Sequence, residues 1–219
     1  MKLKILKKAE NAKNSLVIID NKVRGILADR ILLPFFPIPF IGEISEEQGK
    51  ELLSLIENNA RQQLLKYIAD REHNSLECKQ FLARKQYPPE IIEALLKEFQ
   101  TKKYIDDERY VQILISSLLE RKKSKRAIGQ KLKETHLPTD LWVEKLNAIC
   151  NPENEKENLQ EQMTILQLRY RDLPLHKQKE KVFAALYRKG FDLDAIHSAW
   201  QERKWLNPAY AEEKNAAII

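Results

Sequence analysis

The stretch of the sequence with the clearest chemical character is a basic run between two predicted helices. From Arg121 to Lys133 the chain carries seven basic side chains and no acidic one. They are Arg121, Lys122, Lys123, Lys125, Arg126, Lys131 and Lys133. Cations at the end of a helix interact favourably with the helix dipole, which accounts for the first three without any ligand. The whole run is longer than a helix end requires, so it predicts contact with an anionic partner.

A second basic group occurs in the last third of the chain. It consists of His176, Lys177, Lys179 and Lys181, is interrupted by Glu180, follows Arg169 and Arg171, and precedes Arg188 and Lys189 at the end of the same predicted helix. Basic helix junctions along one edge can follow a nucleic-acid backbone or an acidic protein groove. The alternative is a set of solvated helix ends.

Residue patterns typical of enzymes are missing from the sequence. The four histidines, His73, His136, His176 and His197, are far apart and lack partners at the spacing of zinc ligands. No glycine-rich phosphate loop is visible. The acidic triplet Asp106-Asp107-Glu108 fits a metal site or a helix start, and the apolar stripe that begins at Tyr110 favours the helix start. We therefore expect no enzymatic activity, no cofactor and no metal.

An internal repeat organises most of the chain. Three leucines align with apolar residues, or Cys, at four positions before them and at five, ten and fourteen positions after them. The aligned sets are Cys78, Leu82, Tyr87, Ile92 and Leu96; Ile128, Leu132, Leu137, Trp142 and Leu146; and Val182, Leu186, Phe191, Ile196 and Trp200. Self-similarity at a spacing of 50 to 54 residues is typical of stacked supersecondary units. We expect these side chains, including the aromatic ones, to form the core.

The repeat leads to a division of the chain. We expect a lead-in helix and first three-helix unit at 45–102, a second, basic unit at 103–150, a third at 151–207 and a C-terminal tail at 208–219, either loose or a short helix. A capping box at Ser45–Gln48 begins the lead-in helix, and Asn58-Asn59 is a candidate break within it. The acid-rich segment 151–162 suits a linker or the first turn of a helix.

The first 44 residues have a different character. Ser15–Ile19 and Val23–Leu33 are predicted strands joined by a turn at Asp20-Asn21. Three prolines at positions 34, 37 and 39 predict an extended path without a regular ladder. The predicted fold is thus mainly α, with three tandem three-helix repeat units in an elongated curved array and a small N-terminal β-hairpin-like extension. The extension is either a structural pad or a lid or contact arm.

Composition and charge limit the class of protein. Charged residues make up 32% of the 219 residues and hydrophobic residues 43%, which indicates a globular, charge-rich chain. Residues 101–150 hold eleven basic and seven acidic side chains and so contribute most of the net charge of +6. We see no signal peptide and no membrane span. The cysteines, Cys78 and Cys150, occupy core positions, and we expect reduced thiols in a cytoplasmic protein.

The middle unit resembles a known family. The resemblance is to the core signature of RecX regulatory proteins. It consists of Ile105 to Val111, a helix, the basic run and then Ala127-Ile128 through Leu132. Arg188 to Phe191 resembles the third unit of that family, and Ser75 to Tyr87 resembles its first. The resemblance covers about residues 60–205. The family usually has glycine near Lys103, near Ser124 and at His136, so this chain departs from it at those turns.

The resemblance implies a non-enzymatic modulator, most often an inhibitor, of the RecA recombinase. Proteins of this family lie in the groove of the RecA filament on single-stranded DNA and suppress ATP hydrolysis and strand exchange. Our own hypothesis is that Arg121 to Arg126 make the main contact and Lys177 to Lys181 a secondary one. We expect a monomer that also binds bare DNA weakly. The alternatives are a DNA-binding helical protein without a recombinase role and a helical-repeat protein scaffold.

Overall fold

The computed structural model of the chain describes residues 1–7, 9 and 12–204, and only the backbone of residues 203 and 204. The predicted C-terminal tail at 208–219 lies outside the described residues. The chain divides into two compact units, Met1–Tyr110 and Val111–Ile219. No helix in the described part of the chain has both the length and the apolar character needed to cross a bilayer.

The N-terminal unit begins with a four-stranded antiparallel sheet. Its strands are β1 (Lys2–Lys7), β2 (Asn14–Ile19), β3 (Lys22–Ala28) and β4 (Phe40–Glu43), in the spatial order β3-β2-β1-β4. The predicted hairpin is β2 and β3, and its turn residues Asp20 and Asn21 both have positive φ. This conformation is the one expected of a two-residue hairpin turn.

Three details of the N-terminal prediction are wrong. The second predicted strand ends at Ala28, because Asp29–Leu32 forms the short helix α1. β1 was not predicted. The chain also returns to a regular ladder directly after Pro39, since β4 pairs antiparallel with β1. The prolines all precede β4, so none of them removes a donor from the ladder.

The remaining regular elements of the described chain are helical. They are α2 (Glu46–Asp70), α3 (Ser75–Arg84), α4 (Pro89–Thr101), α5 (Asp107–Glu120), α6 (Lys125–Lys133), a 3-10 turn (Thr139–Leu141), α7 (Val143–Ile149), α8 (Pro152–Arg169), α9 (Leu175–Arg188) and α10 (Leu193–Lys204). A mainly helical chain with a small N-terminal β element is therefore confirmed. The predicted break at Asn58-Asn59 is wrong, because α2 continues through it. The acid-rich segment after Asn151 is the start of α8, which Asn151 caps through a bond from the Asn154 amide.

The repeat is visible in burial and in backbone conformation. All fifteen aligned side chains are buried, with at most 7% of their surface exposed. The residue four positions after each aligned leucine has positive φ: 61° at Gln86, 56° at His136 and 94° at Gly190. A left-handed residue at this place ends one helix and directs the following apolar side chain into the core. The turn between the second and third helices of each unit is therefore built in the same way.

The sheet and the first repeat share one core. Leu3, Ile5 and Val17 from the inner face of the sheet pack with α2 side chains such as Ile56 and with Leu82 of α3. The third repeat has its own core around Met163, Leu186 and Trp200, among others.

Candidate functional site

The Asp-Asp signature builds the start of α5. The Asp106 carboxylate accepts hydrogen bonds from the backbone amides of Glu108 and Arg109, both at 3.1 Å. The amide of Arg109 is the main reason that the pKa of Asp106 lies below its usual range. The structure thus favours a helix start over a metal site, and no group of three or more candidate metal ligands occurs among the described residues.

Asp107, the second residue of the signature, connects two helices. Its carboxylate accepts from the backbone amide of Ser75 at 2.7 Å and from the Ser75 hydroxyl at 2.6 Å. Ser75 is the first residue of α3, whose N-cap is Asn74. A carboxylate satisfies an otherwise unpaired amide at a helix start and interacts favourably with the helix dipole. Asp107 therefore fixes the start of α5 against the start of α3.

Arg109 completes this contact. Its guanidinium donates to the Glu72 carboxylate at 2.7 Å and to the backbone carbonyls of Lys103 and Tyr104 at 3.1 and 3.3 Å. The hydrogen bond with Glu72 raises the pKa of Arg109. The side chains of Asp106, Asp107 and Arg109 all bond groups at the starts of α3 and α5 or in the segments just before them. We call these three residues the clasp.

The basic run between α5 and α6 packs against the turn between α9 and α10. The backbone amide of Ser124 donates to the carbonyl of Lys189 at 3.1 Å. Three basic side chains donate to backbone carbonyls across the same contact: Lys123 to Arg188, Arg126 to Gly190 and Lys189 to Arg121. Part of the predicted anion contact is therefore an internal junction, which we call the basic junction.

Gly190 makes the close approach possible. Its φ is +94°, and a β-carbon there would lie 2.5 Å from Cβ of Ala127 and 2.7 Å from Oγ of Ser124. Ser124 is buried and caps α6 by accepting from the amide of Ala127. The amide of Lys125, the first residue of α6, donates to the Glu155 carboxylate at 3.1 Å. Glu155 thus accepts from the first backbone amide of α6, as Asp107 accepts from the first backbone amide of α3.

The electrostatics of the basic junction are repulsive. Burial, together with the neighbouring charges of Lys123, Arg169 and Lys122, lowers the pKa of Lys189. Among these cations, Lys122 alone has a short ion pair with an acidic side chain of the described residues, at 2.8 Å from the Glu161 carboxylate. A cluster of cations with incomplete internal compensation favours an anion nearby.

The twelve predicted contact residues differ in exposure and in the internal contacts that their side chains make. Arg121, Lys133 and Lys177 are exposed and make no ion pair with an acidic side chain of the described chain. Lys131 pairs with Glu134 at 2.9 Å. Arg126 is exposed, but its guanidinium lies over the Tyr187 ring in addition to bonding Gly190. Arg121, Lys133 and Lys177 are therefore the best placed to meet an external anion.

Helix α9 connects the two predicted basic groups. The second group starts the helix, with Lys177 and Lys181 exposed, Lys179 over the Phe183 ring and Lys181 over the Tyr170 ring. The helix ends at Arg188, next to the basic junction. The 14 residues of α9 correspond to about 21 Å. The two groups thus lie at the two ends of α9. We call the exposed cations Lys177, Lys181 and Arg188 of this helix, together with Arg121 beside its end, the basic stripe. Lys131 and Lys133 lie apart from it, at the far end of α6.

The sequence alone missed the acceptors that build the junction. Glu155 and the carbonyl groups of residues 188–190 hold the basic run in place, and Gly190 allows the approach. The available signal was the Gly190-Phe191 pair at a repeat turn. It marks a tight turn, but it does not say which segment packs there.

Both cysteines are buried and free, as predicted. Burial raises the pKa of Cys78 to about 12 and also raises the pKa of Cys150. A thiol that stays protonated at neutral pH is a poor nucleophile. Both residues therefore behave as part of the core.

Comparisons with known proteins agree with the resemblance seen in the motifs. No family model matches the chain. Regulatory protein RecX of Streptococcus sanguinis (strain SK36) is 24% identical over 161 residues, which cover 73% of this chain and 61% of that protein. Regulatory protein RecX of Leptothrix cholodnii is 34% identical over 92 residues, or 42% of this chain and 58% of that protein. The match thus spans about three fifths of the length of each curated relative.

Solved structures show the same fold. A crystal structure of regulatory protein RecX has a TM-score of 0.55 at 21% identity and covers 91% of this chain and 99% of its own. RecX from Lactobacillus salivarius has a TM-score of 0.55 at 17% identity, over 67% of this chain and 95% of its own. The chain is thus similar in sequence to proteins named regulatory protein RecX, and it shares the fold of solved RecX structures.

Proposed function

We propose that this protein is a regulator of the RecA recombinase that binds in the groove of the RecA filament on single-stranded DNA. It suppresses ATP hydrolysis and strand exchange there, without enzymatic activity of its own. The observation that carries the proposal is the family resemblance, since the relatives with the same fold are named regulatory protein RecX. The basic stripe along α9 supports it physically, because a filament on DNA presents phosphates and acidic protein surface.

The mechanism divides the basic residues into two roles. Exposed cations, chiefly Arg121, Lys133 and Lys177, meet the anionic groups of the filament. Lys123 and Arg126 hold the basic junction together and so keep α9 in position. Phosphate contacts made by flexible side chains position a protein without reading sequence. We therefore expect binding that does not depend on the DNA sequence.

The test is DNA-dependent ATP hydrolysis by the cognate RecA, titrated with three forms of this protein. They are the wild type, a surface variant (Arg121→Ala, Lys133→Ala, Lys177→Ala) and a junction variant (Lys123→Ala, Arg126→Ala). We expect inhibition by the wild type and at least about tenfold weaker inhibition by the surface variant, whose thermal midpoint stays unchanged. The junction variant should lose stability as well as inhibition, because its side chains bond backbone carbonyls.

Three other outcomes separate the alternatives. Inhibition by all three forms with equal strength would keep the regulator but move the contact away from the substituted basic residues. No inhibition by the wild type on confirmed filaments would contradict the proposed function. Tight, salt-sensitive binding to bare DNA in that case would identify a DNA-binding protein, and no binding to DNA would leave a protein scaffold.

A further inference from the structure

The outer face of the N-terminal sheet has an unusual composition. The burial of the strands alternates, so Leu3, Ile5 and Val17 face the core while their neighbours along each strand face outward. An antiparallel sheet with one solvated face normally places polar side chains outward. Here the outward positions are mostly aliphatic: Leu6, Leu16, Ile18, Val23, Ile26 and Ile41.

Strand pairing makes these side chains one continuous surface. Ile41 lies opposite Lys4, Lys4 opposite Ile18, and Ile18 opposite Val23, so one row crosses all four strands. A second row contains Leu6, Leu16 and Ile26. Ile41 is 71% exposed and Val23 42% exposed, and the others are half-buried. A contiguous apolar patch of this kind marks an interaction site on a folded protein.

The charges on this face favour an acidic partner. Lys2 and Lys4 are its cations, and Glu43, opposite Lys2, is its carboxylate. Residues 1–44 contain eight basic and four acidic side chains. Two of the acidic ones are occupied within the fold, since Asp20 accepts from the Lys2 amide and Asp29 accepts from the Ser15 hydroxyl and pairs with Lys7. The apolar rows are therefore accompanied by lysines that a partner's carboxylates would neutralise.

The size of the face suits one helix. Four strands at about 4.8 Å spacing span roughly 14 Å, and six residues of a strand extend about 20 Å. A helix with its side chains is about 10 Å wide, and 20 Å corresponds to about 13 residues. A symmetric contact with a second copy fits less well, because two such faces would bring lysines together.

We propose that the outer face of this sheet docks an amphipathic helix of a partner protein, one that carries an aliphatic stripe flanked by carboxylates. The inference rests on the proposed function, in which the partner is the protein component of the RecA filament, and it gives residues 1–44 the role of a protein contact. The basic stripe along α9 and the sheet face then have separate tasks. The stripe meets anions, and the sheet face recognises protein.

The test uses the full chain with substitutions that keep strand propensity. The row variant carries Ile18→Thr, Val23→Thr and Ile41→Thr, which replace apolar side chains by polar ones that are also β-branched and have a similar β preference. The charge variant carries Lys2→Glu and Lys4→Glu. The matched control carries Ile113→Thr and Ile165→Thr, since these residues are also about half exposed but lie on α5 and α8. Circular dichroism and thermal midpoints establish that each variant is folded.

Fluorescence anisotropy measures the affinity of each form for RecA filaments preassembled on single-stranded DNA and for the same DNA without RecA. We expect the row and charge variants to bind filaments at least about tenfold more weakly, as loss of a central apolar contact does at other interfaces. The affinity of the row variant for bare DNA, and both affinities of the control, should stay within twofold of the wild type. The charge variant lowers the net charge from +6 to +2, so its loss of affinity for filaments should exceed its loss of affinity for bare DNA.

Several results would overturn the inference. Unchanged filament affinity of the folded row variant would show that the sheet face is not a contact. A parallel loss of affinity for bare DNA would assign the face to nucleic acid. A wild-type dimer in sedimentation that the row variant converts to monomer would assign it to self-association. If the wild type binds no filament at all, the proposed function fails and this inference fails with it.

Discussion

At the scale of single residues, the corners of the repeats depend on a backbone conformation that favours glycine. Gln86 and His136 adopt it at the same repeat position where the third unit has Gly190. Lys103 and Lys122 adopt it at the ends of α4 and α5. The family usually has glycine at or near three of these places, so this chain keeps the turn geometry without the residue that makes it easy. A left-handed residue with a β-carbon costs about 1–2 kcal/mol.

We predict that His136→Gly stabilises the protein. Glycine removes the left-handed strain from the folded state, but it also gives the unfolded chain more conformational entropy. The first effect is larger, so the free energy of unfolding should rise by about 0.5–1 kcal/mol. Urea unfolding monitored by circular dichroism measures this difference. His136→Ala is the control, because alanine keeps the strain, and it should bring no gain. Equal midpoints for the Gly and Ala variants would contradict the interpretation.

Gly190→Ala should have the opposite effect. The new methyl group would meet Ala127 and Ser124 inside van der Waals distance at a φ of +94°. Strain and overpacking together should cost roughly 2–5 kcal/mol in the free energy of unfolding. Gly129→Ala is the matched control, since its β-carbon would meet only Leu146, at 3.4 Å, within α6. Helix propensity predicts that this control is about 0.5–1 kcal/mol more stable than the wild type.

Cys78 predicts a loss of stability at high pH. Burial raises the pKa of its thiol from 9.0 to about 12, so the folded state retains a proton that the unfolded state releases. Stability from this group is complete below pH 9 and falls as the pH rises toward 12, by about 1.4 kcal/mol per pH unit. Urea midpoints at pH 8, 9 and 10 measure the slope. The Cys78→Ala variant should show a shallower decline, and parallel slopes would contradict the assignment.

At the scale of helices and strands, the clasp explains the signature of the middle unit. Asp107 binds the start of α3, and Glu155 binds the start of α6 in the same way. In both cases an acidic side chain from the first helix of one repeat accepts from the first backbone amide of the second helix in the preceding repeat. The signature is therefore a structural feature that joins consecutive units.

We predict that Asp107→Asn destabilises the protein by about 1–3 kcal/mol, because the charge-assisted bonds to Ser75 weaken at a partly buried site. Asp140→Asn, at an exposed position, is the control and should change stability by less than about 0.5 kcal/mol. Thermal unfolding of the three forms gives the comparison. Equal losses from the two substitutions would mean that the clasp contributes nothing specific.

The helices were predictable and the sheet was less so, for physical reasons. Helix caps and apolar stripes are local, and they identified the starts of α2 and α5 and the fifteen core positions. β1 and β4 are short and obtain their partners from distant parts of the chain. Paired asparagines and acid-rich stretches are only weak breakers, so α2 and α8 run through them. The contact role of the basic residues stays a prediction. The internal bonds of Lys123 and Arg126 could not be predicted, because their acceptors are backbone carbonyls more than sixty residues away in the sequence.

The start of α9 shows a further limit of sequence reasoning. Asn74 and Ser124, eight residues before the aligned leucines, are buried N-caps of α3 and α6. The equivalent residue in the third unit is Gln178, which is buried inside α9 and donates to the carbonyl of Gln167. α9 therefore begins one turn earlier than its counterparts. The amide equivalent to those that Asp107 and Glu155 bind is that of Lys179, which therefore lies inside α9 and not at its start.

At the scale of the whole molecule, two surfaces with different chemistry follow from the fold. The C-terminal unit carries the basic stripe along α9, and the N-terminal unit carries the aliphatic outer face of its sheet. A regulator of a protein filament on DNA needs recognition of protein as well as attraction to anions. A simple DNA-binding protein needs only attraction to anions. Tighter binding to the filament than to bare DNA therefore distinguishes a filament regulator from a DNA-binding protein.

The most direct measurement is the affinity of the wild-type protein for RecA filaments and for bare single-stranded DNA of the same length and at the same salt concentration. We predict that the protein binds filaments at least about tenfold more tightly than bare DNA. We also predict that its affinity for filaments falls less steeply with salt concentration than that of a purely electrostatic complex. Equal affinities for the two, with the same steep dependence on salt, would contradict it.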